Sequence, residues 1–319
     1  MFYTRPNTVK LELVEGCSLF CDFCGIRGIR ARAGGPYKFV SLELVHRLAG
    51  LVAEAGWNSR FELAMRGEPT MHPQVSQAVA ILRRHLPQAS LMMTSNGTGL
   101  LRCGDSGQAV VELFAAGLNC LVLDNYDGVT AVPRILFQCA EHGIRVGHYP
   151  EDASLMPYKR WLPSQHELVV FPDIRKTGSG VHRSSDLSNH CGAAAPRNNR
   201  QSGKRCVRPF RELVVRYDGQ VPICCNDWRG ELRMGSILEC TSIEMLWQNG
   251  AFAAARRLLF RGCRQVGPCL GCDSHSTRPG LVCVGNPPEL ATDRDVALLH
   301  ELVGNGPMTV PVLREWEVR

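Results

Sequence analysis

What this 319-residue sequence has little of narrows its class first. No run approaches the roughly 18 consecutive apolar residues of a spanning helix, so no membrane segment is expected. Met1 to Val14 lacks a basic stretch followed by an apolar run, so no secretory signal is expected either. Lysine is scarce: five (Lys10, Lys38, Lys159, Lys176, Lys204) stand among 36 basic residues. The arginines that carry the net charge of +6 are scattered singly or in pairs. Such scatter reads as compositional bias, and no nucleic-acid surface is expected from it. Apolar residues make up 45% and charged residues 21%, which excludes a disordered composition and leaves an ordinary globular chain. An even, pairable cysteine set is also missing. Fifteen cysteines without an export signal do not read as a disulfide framework. Metal chemistry, redox chemistry or burial must account for them.

What is present begins as an alternation of strand and helix. Strands are predicted at Thr8–Val14, Arg60–Met65, Ser90–Thr94, Leu118–Asp124, Ile144–Tyr149 and Glu167–Phe171. Amphipathic helices are predicted between them at Ser41–Ala55, Pro73–Leu86, Gly107–Ala116 and Val132–His142. Strand then helix, repeated about six times, implies parallel strands with right-handed crossovers in an α/β sheet or open barrel. Ligands then collect at the C-terminal strand ends. From Thr177 to Gly203 the pattern gives way to Gly, Ser, Asn, Arg and Ala, a connection. Arg211–Tyr217 and Gln220–Cys224 flank Asp218-Gly219, which predicts a hairpin. A helix is expected over about Ser242–Phe260, and another over Asp293–Leu302.

The first predicted strand runs into Gly16-Cys17-Ser18-Leu19-Phe20-Cys21-Asp22-Phe23-Cys24-Gly25. Three thiolates in one compact loop, without a fourth, suit a [4Fe–4S] cluster with one iron left open; zinc needs a fourth ligand. This spacing, with Phe23 before the third cysteine, resembles the radical S-adenosylmethionine superfamily. Further segments follow in the family's order. Arg66-Gly67-Glu68-Pro69 is similar to the Gly-Gly-Glu-Pro motif, with Arg66 in place of the first glycine. Thr94-Ser95-Asn96-Gly97 resembles the Thr-Asn-Gly segment, and Val122-Leu123-Asp124 resembles Ser-Leu-Asp without its hydroxyl. The resemblance implies that Cys17, Cys21 and Cys24 hold the catalytic cluster. It implies that Gly67, Glu68, Pro69, Ser95, Asn96 and Asp124 bind S-adenosylmethionine.

A second ordered set follows: Cys206, twelve residues, Gly219, four residues, Cys224, and later Cys269-Leu270-Gly271-Cys272. It resembles the SPASM/twitch auxiliary-cluster module, in the shorter form with one cluster on four cysteines. The implied ligands of a second [4Fe–4S] cluster are Cys206, Cys224, Cys269 and Cys272. Four cysteines ending in a two-residue spacing also describe a zinc ribbon. Cys225 adjoins Cys224 and leaves the register open, and Cys191 or Cys263 could substitute as ligands. Cys103, Cys120, Cys139, Cys240 and Cys283 read as ordinary packing.

The expected architecture is therefore α/β, a partial (β/α)6 radical SAM barrel followed by a small α+β twitch-like module. Its divisions are a barrel over 1–180, a connection over 181–203, a cluster module over 204–290 and a tail over 291–319. The resemblance implies reductive cleavage of S-adenosylmethionine to a 5′-deoxyadenosyl radical, then hydrogen abstraction from a substrate. Twitch relatives include sugar and aminocyclitol dehydrogenases, so dehydrogenation of a small metabolite of that kind is the leading expectation. Modification of a peptide or protein side chain is the alternative. Only 16 residues precede Cys17, too few for an N-terminal peptide-recognition domain. A non-catalytic iron–sulfur protein is a third, remote reading. An oxidation needs a base. The candidates are Arg66, Asp124, His148 and Tyr149, with Tyr126, Asp173 and Arg175 also at strand ends. A flavodoxin- or ferredoxin-type electron donor and a reducing cytoplasm are implied.

Overall fold

The computed structural model describes residues 5–21, 23–125, 131–148, 159–171, 189–194, 204–274 and 292–302. Strands β1 (Thr8–Leu11), β2 (Val14–Glu15), β3 (Lys38–Phe39), β4 (Arg60–Glu62) and β5 (Leu91–Ser95) come first. They are followed by β6 (Cys120–Asp124), β7 (Val146–His148), β8 (Glu167–Phe171) and β9 (Glu212–Val215). Four helices intervene: α1 (Leu42–Glu54), α2 (Val75–His85), α3 (Ser106–Ala115) and α4 (Ala131–Glu141). The helix starts are set locally. Ser41 accepts from Leu44 N at 3.2 Å ahead of α1, and Asp105 from Gln108 N at 3.0 Å ahead of α3.

Seven strands form one all-parallel sheet in the order β7-β8-β6-β5-β4-β1-β9. Alternate strand residues such as Val9, Leu11, Phe61, Leu63, Leu91, Met93, Leu121 and Leu123 share one core with Leu48, Val52, Val79, Leu82, Val110, Leu113 and Ile135 of the helices. Cys120, Val122 and Val169 alternate with them and pack on the opposite face around Trp161. That face also carries charge: Lys10 pairs with Glu62 at 3.0 Å and Glu212 at 3.6 Å, and Arg60 pairs with Glu62. The α/β class and the open parallel barrel with its small second module are as the sequence led us to expect.

Four details depart from the sequence expectation. The last two barrel strands exchange places: β8 lies beside β6 and β7 takes the edge. β8 buries Leu168, Val169 and Val170, whereas β7 is short, half-exposed and ends in exposed His148, which suits an edge. The predicted hairpin around Asp218-Gly219 does not form as a two-strand ladder. Its turn exists, with Gly219 at φ +80° and Arg216 N donating to Gln220 O at 2.9 Å. However, β9 is buried along its whole length and pairs in parallel with β1, closing the sheet edge. β10 (Gln220–Pro222) pairs instead with β11 (Arg233–Ser236).

A short α5 (Arg208–Arg211) precedes β9. The single helix expected over Ser242–Phe260 is two, α6 (Ile243–Trp247) and α7 (Gly250–Phe260). Asn249 breaks it by accepting from Phe252 N at 2.9 Å while its amide donates to Met234 O at 2.7 Å. Finally, the connection contains an ordered turn at residues 189–194, and α8 (Asp293–Leu302) closes the described chain. Among the described residues no helix is long and apolar enough to cross a membrane.

Candidate active site and cluster pockets

Parallel strands bring their C-terminal ends to one edge of the sheet, and the polar motifs stand there. Gly16 and Gly67 form an isolated parallel bridge, and Glu68 N donates to Gly16 O at 3.0 Å. A Cβ on Gly67 would lie 2.2 Å from Val14 O and 2.5 Å from Gly16 O. Glycine is required there because two backbones meet. The next residue, Glu68, is buried and joins two strand ends. One carboxylate oxygen accepts from Thr70 N at 3.1 Å, Thr70 Oγ1 at 2.5 Å and Ser95 Oγ at 2.5 Å; the other accepts from Asn96 N at 2.7 Å. Burial raises its pKa, against those four hydrogen bonds. Asn96 Nδ2 in turn donates to Cys17 Sγ at 3.2 Å. Gly67, Glu68, Ser95, Asn96 and the first cysteine are thus one connected unit, and Pro69 starts the 3-10 turn that aims Glu68 inward.

The Cys17–Cys24 loop is held by Arg27, which donates to Cys21 O at 3.0 Å and Phe20 O at 2.8 Å while lying over the Phe20 ring. All three thiols are partly exposed. Burial pushes the Cys17 thiol up to about 12, with Glu68 adding to it, and the Cys24 thiol up to about 11. The three cysteines are electrostatic neighbours of one another. A loop presenting three thiols and no fourth ligand fits a [4Fe–4S] cluster with one open iron.

Arg66 is 1% exposed and fully engaged within the protein. It grips Glu12 in a bidentate pair at 2.7 and 2.6 Å, meets Glu15 at 2.8 Å, and donates to Trp228 O at 2.8 Å. It therefore ties the barrel to the second module. Glu12 has no place in the motifs, yet it is 0% exposed and also accepts from Tyr217 N at 3.2 Å. No signal in the sequence pointed to this role, because Glu12 alternates with apolar Leu11 and Leu13 just as exposed-face residues do.

Asp124 ends β6, buried, on the face of Cys120 and Val122. His148 ends β7, exposed, with β8 between the two. Tyr126, Tyr149, Asp173 and Arg175 lie outside the described residues, as does Cys283.

The second pocket is lined by Cys206, Cys224, Cys269 and Cys272, with Arg208, Arg264 and one further thiol, Cys191. Arg264 gathers its rim by donating to the carbonyls of Lys204, Arg205 and Ser274. Cys225 does not line it: its sulfur accepts from Arg208 Nη1 at 3.0 Å, and its N–H donates to Glu212 at 3.0 Å. Cys263 packs against the main core, and Cys120 and Cys139 are buried. Clustered thiols flanked by two guanidiniums, which offset thiolate charge, fit a cysteine-ligated iron–sulfur cluster. Among the described residues no three His, Cys, Asp or Glu side chains converge as a single-ion site. Trp228 packs with Ile26 and Ala193 in a small cluster that Cys17 and Cys24 also touch.

Residues 206–273 match the SPASM family, described as an iron–sulfur cluster-binding domain. The chain is 22% identical over 241 residues to a GTP 3′,8-cyclase of Pectobacterium atrosepticum, covering 70% of each chain. It is 23% identical over 186 residues to a GTP 3′,8-cyclase of Edwardsiella ictaluri, covering 54% of this chain and 56% of that one. In fold it is similar to BtrN in complex with AdoMet and 2-DOIA, with a TM-score of 0.61 and 18% identity over 85% of this chain and 94% of BtrN. Residues 206–273 thus carry a SPASM-type iron–sulfur module, and the chain shares its overall fold with BtrN.

Proposed function

We propose that the protein dehydrogenates a small sugar- or aminocyclitol-like alcohol by radical chemistry. Cys17, Cys21 and Cys24 hold the first cluster, and Gly67, Glu68, Pro69, Ser95 and Asn96 form the seat of S-adenosylmethionine. Cys206, Cys224, Cys269 and Cys272 hold the second. When bound, these groups supply one-electron cleavage of the sulfonium, a carbon radical able to take hydrogen from an unactivated C–H bond, and a closed one-electron acceptor. Glu68 fixes the spacing of the second and third strand ends, and Asn96 steadies the Cys17 sulfur by its 3.2 Å hydrogen bond. Asp124, at the strand end facing away from the helices, takes the alcohol proton, with His148 the second candidate base. Arg66 positions the mouth through Glu12 and Glu15. The divisions 1–180, 181–203, 204–290 and 291–319 follow from this reading, as do a flavodoxin- or ferredoxin-type donor and a cytoplasmic setting.

The observation that carries the proposal is the second pocket, whose thiols suffice to close a cluster against substrate. A closed cluster suits electron transfer, as a net dehydrogenation requires. A second reading, cyclisation of a nucleotide, is favoured by the two relatives named GTP 3′,8-cyclase. Anaerobic turnover with dithionite and S-adenosylmethionine separates them. Aminocyclitols and amino sugars should raise 5′-deoxyadenosine formation and yield a ketone product. Stimulation by GTP alone, or by a peptide alone, would replace the proposal. No cleavage with any substrate, or cleavage that persists in Cys24→Ala, would remove it.

A further inference from the structure

The second pocket holds five thiols, and a [4Fe–4S] cluster takes four protein ligands. Cys191 is the extra one. It lies outside the matched SPASM residues, is 9% exposed, and hydrogen-bonds both Cys224 and Cys272. Its backbone is costly to hold. His190 and Cys191 stand at φ +47° and +56°, followed by Gly192 at +82°. A left-handed non-glycine residue crowds its Cβ against the neighbouring carbonyl oxygen. Such strain persists only where neighbours over-determine it. They do so here: Asn189 N donates to Asp273 Oδ1 at 2.7 Å, Asn189 Nδ2 to Gly271 O at 2.8 Å, and Asp273 N returns a bond to Asn189. Those bonds grip the residues on both sides of Cys272. On its outer side the turn is wedged against the first cysteine loop, because a Cβ on Gly28 would fall 2.3 Å from Ala193 O. The 189–194 turn is thus fastened to the loop that carries Cys272, and it delivers one more sulfur to the pocket.

We propose that Cys191 is a spare ligand of the auxiliary cluster, able to replace Cys224 or Cys272, the two sulfurs it touches. The inference rests on the reading that this pocket holds a [4Fe–4S] cluster. In the exchange the Cys191 S–H gives up its proton and forms an Fe–S bond, while the departing Fe–S bond breaks and its thiolate takes up a proton. Charge and oxidation state are unchanged, so no oxidant is needed. The pocket therefore has alternative sets of four ligands, and loss of one thiol leaves no iron open.

The test uses the full chain carrying Cys17→Ala, Cys21→Ala and Cys24→Ala, so that only the auxiliary cluster contributes iron. After anaerobic reconstitution, iron and sulfide are counted, and the reduced state is followed by EPR and Mössbauer spectroscopy. Adding Cys191→Ala should leave about four irons per chain. Adding Cys272→Ala, or separately Cys224→Ala, should also leave about four, with an altered EPR signal from the new ligand. Combining either change with Cys191→Ala should leave three thiols, so that one iron opens or is lost, read by Mössbauer and EPR as a distinct iron site or a three-iron cluster that the single variants do not show. Circular dichroism confirms folding, and Cys263→Ala serves as a neutral control. The proposal is overturned if both folded single variants already lose iron or show the open-iron or three-iron signature of the double variants while Cys191→Ala keeps an intact cluster. It is also overturned if Cys191→Ala alone loses the cluster, which would make Cys191 an obligate ligand. A parent chain with all five thiols and no iron defeats the auxiliary-cluster reading and this proposal together.

Discussion

Replacing Arg66 with methionine tests whether that residue is a strut or a chemical participant. The guanidinium is 1% exposed and Glu12 is 0% exposed, so solvent does not screen their pair. Methionine fills much of the volume but leaves the Glu12 carboxylate, among the described residues, with only the Tyr217 N–H at 3.2 Å, and leaves Trp228 O without the Arg66 donor. Removing one partner of a buried ion pair costs about 3–5 kcal/mol. Urea unfolding of the reconstituted protein, followed by circular dichroism, should show a loss of that size. Replacing Glu12 with leucine as well removes the stranded charge, and the double variant should recover at least half of the loss. Its recovery should extend to 5′-deoxyadenosine formation, because the mouth is repacked. Arg66→Lys keeps the charge but not the two-pronged grip, and should fall between. A single-variant loss below about 1 kcal/mol, or a double variant no better than the single, refutes the strut. Restored stability without any restored cleavage would instead assign Arg66 to the chemistry.

Three further outcomes follow from other parts of the molecule. Gly67→Ala places a methyl 2.2 Å from Val14 O, so the bridge to Gly16 must open; binding of S-adenosylmethionine, measured by equilibrium dialysis, should fall at least tenfold, and unchanged binding would refute the reading. Asn96→Ala removes the hydrogen bond to Cys17 Sγ, which stabilises the more negative, reduced cluster. The potential of the first cluster, read by EPR titration, should therefore move negative by tens of millivolts, and a positive shift would contradict it. Glu212 is held at about 2, burial opposing but Lys10 and Arg208 prevailing. A depressed carboxylate contributes stability that is full above its ordinary value of 4.5 and is lost as pH falls toward 2. Glu212→Gln should therefore remove about 2–4 kcal/mol at neutral pH and flatten the stability profile between those limits; parallel profiles would rule this out.

Much of the site was legible because its chemistry is local in the chain. Three cysteines within eight residues, or a Gly-Glu-Pro turn at a strand end, are written in consecutive positions. Strand and helix alternation announced a parallel sheet, since period and cap residues act over a few positions. What escaped was set by partners far apart in sequence. Glu12 and Arg66 are 54 positions apart, and nothing in either segment names the other. The register between Cys224 and Cys225 was decided by Arg208 and Glu212, which draw Cys225 aside. β9 left its expected hairpin partner because the open edge beside β1 could cover its buried length and the local turn could not.

The sequence alone thus determined a parallel α/β fold and the two sets of cysteines whose spacing suits iron–sulfur clusters. Tertiary structure decided which charges are spent on architecture, which strand closes each edge, and that Cys191, in a segment with no readable pattern, arrives beside Cys224 and Cys272. The physical reason is one of range. Propensity, periodicity and motif spacing act along a few residues, while burial of an ion pair or convergence of thiols is settled only when distant segments compete for the same space.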